Sequence, residues 1–136
     1  MAKARAQTTI DRPADVVWAK IGDFGDVTWI PRTQSCRLEG DDRSVRMEGM
    51  DFDVVQHLMS RDDTNRTYHY RLANPEDLAR AIGREIPGLE ATITVTPNGE
   101  SSSSVVWDVE TVDFMVEGAA AEYQRALENL KALLEA

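Results

Sequence analysis

Residues 117–136, EGAAAEYQRALENLKALLEA, place apolar side chains at Tyr123, Leu127, Leu130 and Leu134, spaced four, three and four apart, opposite Glu122, Arg125, Glu128 and Lys131. That spacing follows the helical period of about 3.6, so the chain ends in a long amphipathic helix with one apolar stripe. Such a stripe has to be buried against a complementary surface. The preceding seventy residues supply one.

From Ser35 the period is two. Cys36 and Leu38, then Val45, Met47 and Gly49, then Phe52, Val54, Gln56 and Leu58, then Tyr68, Tyr70 and Leu72 alternate with mostly polar residues. Leu89, Ala91, Ile93 and Val95 alternate with Glu90, Thr92, Thr94 and Thr96, and Val105, Trp107 and Val109 with Val106, Asp108 and Glu110. Alternate residues of a strand share a face, so these are six antiparallel strands with one apolar side. Residues 4–10 read as another strand, which brings the sheet to about seven. The fold class is α+β: a curved antiparallel sheet wrapped around the last helix, the one element long enough to cover it.

Three shorter segments complete the reading. Pro13 opens a helix carrying Val17, Trp18 and Ile21, and Gly22 stops it. A second short helix is expected between Asp23 or Asp26 and Pro31, with Phe24, Val27 and Ile30 as its apolar positions. Asn74 to Gly83 has a capping residue, Pro75 at the first helical position, acids in the first turn, Leu78 and Ile82 four apart, and a terminal glycine. It reads as a short helix between the fifth and sixth strands.

The 136 residues contain no repeat and no linker, so residues 1–136 are read as one domain. Twenty-four acids against fifteen bases give a net charge of -9, which argues against nucleic acid and anionic membrane surfaces as partners. No apolar run approaches the roughly 20 residues of a membrane span, and the first twelve residues lack the apolar core of a secretory signal, so no membrane insertion and a cytoplasmic location are expected. The single cysteine, Cys36, excludes an internal disulfide, a thiolate zinc site and a CxxC redox motif. Nothing in the sequence sets the oligomeric state.

The order of elements and their wording resemble the START/Bet v1-like superfamily with its helix-grip fold, and in particular bacterial polyketide cyclase/dehydrase and lipid-transport proteins. Ile10-Asp11-Arg12-Pro13-Ala14-Asp15-Val16-Val17-Trp18 is similar to their opening, and Asp23-Phe24-Gly25 with Trp29 and Pro31 to the segment after it. Leu38-Glu39-Gly40, Val54-Gln56-Leu58, Tyr68-His69-Tyr70, Thr94-Val95-Thr96-Pro97 and Val105-Val106-Trp107 continue the likeness over nearly the whole chain. The resemblance implies an internal cavity between sheet and last helix, and members that carry or cyclise hydrophobic molecules, sense hormones or dock on other proteins. Relatives often carry Glu where this chain has Gln56. The connection holding Leu78 and Ile82 resembles a lid over the cavity mouth.

Residues sharing the inner phase are the candidate ligand contacts: Val54, Gln56, Tyr68, Tyr70 and Trp107 from the sheet, and Tyr123 and Leu127 from the last helix. Leu78 and Ile82 would close the mouth, and Trp29, like Tyr123, would lie near it as a ring able to stack on a flat ligand. Gln56 and Tyr70, as near neighbours, would bond each other, a water or a ligand carbonyl. His57 and His69 fall on the outer face, directly across from each other if three residues around Asp63 make the connection, and read as surface rather than metal ligands. Asp113 and Glu117 are the acids that could lean inward. The pocket should therefore hold no dedicated general base and no catalytic residue, and need no cofactor. Three functions follow: binding or transport of a hydrophobic small molecule, a cyclase/dehydratase acting by substrate positioning with a tyrosine as proton donor, or a protein-interaction module presenting an apolar patch.

Overall fold

In the computed structural model, which describes residues 1–136, the chain runs β1 (Ala2–Ile10), α1 (Ala14–Ile21), β2 (Thr33–Glu39), β3 (Asp42–Met47), β4 (Asp53–Asp62), β5 (Thr67–Leu72), α2 (Pro75–Ile82), β6 (Leu89–Pro97), β7 (Ser103–Thr111) and α3 (Asp113–Glu135). The seven strands form one antiparallel sheet in the order β1-β7-β6-β5-β4-β3-β2. Every neighbour in sequence pairs except at the closing step, where β1 meets β7 from Ala2 opposite Thr111 to Ile10 opposite Ser103. This is the α+β helix-grip arrangement, with a long C-terminal helix and a short helix after the first strand.

The period of two decides which side chains are sheltered. On β6 and β7, Ala91, Ile93, Val95, Val105, Trp107 and Val109 are buried while their sequence neighbours are not. The inner face packs against Ala126, Leu127 and Leu130 of α3 and against Val17, Trp18 and Ile21 of α1. Each large apolar side chain fully buried there contributes about 1.5–3 kcal/mol. Only glycine fits where α1 ends at Gly22, since a Cβ there would lie 2.6 Å from the Trp18 carbonyl oxygen and 2.7 Å from its ring.

The second short helix does not form. Residues 23–31 make turns instead, because Asp23 and Asp26 bond the backbone ahead of them: Asp23 Oδ1 accepts from Gly25 N at 3.1 Å, and Asp26 Oδ1 from Thr28 N at 3.0 Å and Thr28 Oγ1 at 2.6 Å. Such local bonds compete with the helical ladder. Lys20 Nζ, 2.7 Å from Asp26 Oδ2, ties the turns to α1.

Two further expectations change with register. The turn between β4 and β5 holds four residues, pairing Asp62 with Thr67, so that His69 falls opposite Ser60 and His57, beyond a bulge between Leu58 and Ser60, opposite Arg71; the histidines are not across from each other. Each faces an acid instead, His57 Nδ1 at 2.6 Å from Asp42 and His69 Nε2 at 3.5 Å from Glu90. Leu38, placed on the inner face by alternation, is 51 % exposed because β2 is the sheet edge, beyond the reach of α3.

Candidate functional site

α3 lies chiefly on β1 and β7, at one side of the sheet. The inner face of β3 and β4 is therefore left facing a cleft of about 570 Å³ between α3, α2 and the turns around Ile30. Of the 23 residues lining it, 16 are hydrophobic, among them Val45, Met47 and Val54 from the sheet and Phe114, Met115 and Ala119 from α3. That is the composition of a small-molecule site: apolar walls with a few placed polar groups.

α2 stands at the mouth because Asn74 fastens it to β4. The Asn74 side chain forms no helix cap; its Oδ1 accepts from Val55 N at 2.9 Å and its Nδ2 donates to the Asp53 carbonyl at 2.7 Å. The helix ends where Gly83 adopts φ +80°, with its N–H donating to the Ala79 carbonyl. No residue of α2 is buried, yet Leu78 and Ile82 both turn into the cleft.

Polar groups gather at the floor. Trp107 Nε1 donates to the Tyr70 hydroxyl at 3.2 Å, which donates weakly to the Tyr123 hydroxyl at 3.4 Å. Burial pushes the Tyr70 phenol well above its ordinary range, with the Tyr123 phenol adding to the shift. Tyr123 is raised by burial too, although its ring keeps some surface towards the cleft. Both phenols stay protonated at neutral pH and can donate to a ligand oxygen, but neither acts as a base there.

Beside them lies Arg43, 1 % exposed. Its Nε donates to Gln56 Oε1 at 2.6 Å and its Nη1 to the Phe24 carbonyl at 3.1 Å, and the guanidinium carbon sits 4.1 Å from the Phe24 ring centroid and 5.2 Å from that of Tyr70. Hydrogen bonds and aromatic faces offset part of the cost of desolvating this charge. The Tyr68 hydroxyl feels the same charge but has no partner in hydrogen-bond geometry.

Of the residues expected at the site, Val54, Gln56, Tyr70, Leu78, Ile82, Trp107 and Tyr123 line the cleft together. Trp29, Tyr68 and Leu127 do not; they belong to the closed core behind it. Trp29 is held by its Nε1 bond to the Asp26 carbonyl at 3.0 Å and by Asn129, whose Nδ2 donates to the Trp29 carbonyl at 2.8 Å. Tyr68 packs between Trp18 and Phe24, with centroids at 5.9 and 5.5 Å. Gln56 is opposite Leu72 and bonds Arg43, its partner across β3, rather than Tyr70. The acid on the cleft wall is Glu122, not Asp113 or Glu117, and it pairs with Arg125 and, at 3.9 Å, with Arg32. Arg43 is the residue that sequence reading missed, and its signal was there: it stands two positions before Val45 on the same strand, hence on the same face.

No helix is long and apolar enough to cross a membrane. Among solved structures, the protein XoxI from Bacillus cereus is similar at 22% identity and TM-score 0.84, covering 98% of this chain and 95% of that one. A START superfamily protein from Mycobacterium smegmatis matches at 13% identity and TM-score 0.75, over 98% and 97% of the two chains. The di-domain ARO/CYC BexL from the BE-7585A biosynthetic pathway matches at 15% identity and TM-score 0.79, over 99% of this chain and 47% of that protein. At such identities these likenesses establish the fold. No curated protein matches the sequence. The family model for polyketide cyclase / dehydrase and lipid transport proteins matches residues 1–135, and the chain belongs to that family.

Proposed function

We propose that this protein binds a hydrophobic small molecule in the cleft between α3 and the inner face of β3 and β4. The observation that carries this reading is the cleft itself: about 570 Å³, mostly apolar walls, and hydrogen-bonding groups confined to its floor. Family membership and the helix-grip fold support it. A second reading, a cyclase that folds a reactive chain, draws on one observation: the Tyr70 and Tyr123 hydroxyls stand together at the floor, protonated, where they could orient a carbonyl.

Native mass spectrometry of freshly purified protein tests for a carried molecule, and titration with N-phenyl-1-naphthylamine, a neutral probe that fluoresces in apolar surroundings, tests the site. One probe per chain is expected, with binding lost in Ala119→Trp, which fills the cleft. Probe binding that survives this substitution in a folded protein refutes the location.

A further inference from the structure

The binding reading leaves one charge unexplained. Arg43 is almost wholly buried and no carboxylate pairs with it; its protein partners are an amide oxygen, a backbone carbonyl and two aromatic faces, with the otherwise unpartnered Tyr68 hydroxyl close by. The neighbouring acids are committed elsewhere. Glu122 pairs with Arg125 and Arg32, Asp26 with Lys20, and Asp23 accepts from the Gly25 backbone. The Nη2 group of Arg43 has no acceptor in good hydrogen-bond geometry, the Tyr68 hydroxyl being the nearest oxygen that feels its charge, and the residue lines the cleft.

A buried cation without a counter-charge is costly, because removal from water is offset only by partners that carry opposite charge or a full set of hydrogen bonds. The planar fork of a guanidinium matches a carboxylate, which accepts two parallel N–H bonds. We propose that the ligand is an apolar molecule bearing a single carboxylate, and that the carboxylate pairs with Arg43 at the cleft floor. This rests on the cleft being a small-molecule site. One guanidinium neutralises one negative charge, so a phosphate dianion would leave a second charge unpaired among apolar walls. The carboxylate also gives the free Nη2 its acceptor, while the hydrocarbon body lies along Val54, Leu78, Ala119 and Met115.

The test uses matched pairs that differ only in charge: dodecanoate against dodecan-1-ol, and 2-naphthoate against 2-naphthylmethanol, each displacing N-phenyl-1-naphthylamine at neutral pH. The acid of each pair is expected to bind roughly ten- to a hundredfold more tightly than its alcohol, as for a hydrogen bond to a charged group. Gln56→Glu supplies Arg43 with an internal carboxylate, so it should bring that ratio close to one by weakening the acids far more than the alcohols. Arg43→Met should do the same. In carbon NMR of carboxyl-labelled dodecanoate, the bound acid should titrate below the free one. Equal binding of acid and alcohol by the unaltered protein overturns the pairing but leaves the cleft as a binding site. An acid preference that persists in Gln56→Glu also overturns it. Failure of all four compounds to displace a bound probe overturns the pairing alone, whereas failure of the probe itself to bind removes the binding reading.

Discussion

The rings of Trp107 and Tyr123 stack with centroids 3.7 Å apart and an angle of 5° between their planes. The contact joins the middle of β7 to the middle of α3 at the point where the packed core gives way to the cleft. It sets how closely the helix approaches the sheet. Tyr123→Ala should cost about 2–4 kcal/mol in urea denaturation, through lost area and stacking. Tyr123→Phe keeps the ring and removes only the long bond from Tyr70, so it should cost less than about 1 kcal/mol. Equal losses in the two variants would show that the hydroxyl, not the stack, holds helix to sheet.

Gln56→Ala leaves Arg43 Nε without its acceptor inside the protein. A loss of about 1.5–3 kcal/mol in stability is expected, the range for a hydrogen bond to a charged group. Circular dichroism during denaturation measures it. A loss near zero would mean that solvent reaches Arg43 and that the floor of the cleft is wet.

The protein has three tyrosines, and burial raises the phenol of each above its ordinary value. Below pH of about 10 they are neutral in both folded and unfolded chains and their linkage costs nothing. Above it, the unfolded chain ionises first, so stability falls as pH rises towards the folded-state values. Tyrosinate absorbance should therefore be absent at pH 10 and emerge together with the loss of tertiary structure. Gradual ionisation of one phenol in the folded protein would show that at least one hydroxyl is open to water.

Gly118 lies inside α3 on the cleft wall, and a Cβ added there meets nothing within 4 Å. Gly118→Ala should raise stability by about 0.5–1 kcal/mol, the helical advantage of alanine. Gly118→Leu should fold equally well but project into the cleft and weaken N-phenyl-1-naphthylamine binding. Strong probe binding by the leucine variant would move the ligand away from this wall.

Arg84 sits 3.8 Å from the Phe114 ring centroid, fastening the segment after α2 to the start of α3. α2 has no fully buried residue, so it should be among the most readily opened helices. Amide exchange over residues 75–83 should slow when the probe saturates the cleft and quicken in Arg84→Ala. Exchange that is indifferent to a tightly bound probe would mean that α2 is not a lid.

The periodicities of two and 3.6 were legible without a structure, and they determined the strands, the last helix and the face each side chain takes, because side-chain direction is a local property of the backbone. They also placed Gln56, Tyr70, Trp107 and Tyr123 on one side. Depth was decided only in three dimensions. Tyr68 and Tyr70 share a strand and a face, yet one lies in the core and the other at the cleft floor, because Trp18 of α1 and Phe24 of the following turn cover the Tyr68 end of β5. The four-residue turn that pairs Asp62 with Thr67 likewise separated His57 from His69 by a register that alternation cannot reveal. Arg43 shows the remaining gap: its inward phase could be read from Val45, but only the approach of Phe24, Gln56 and Tyr70 from three separate segments makes a buried guanidinium tolerable there.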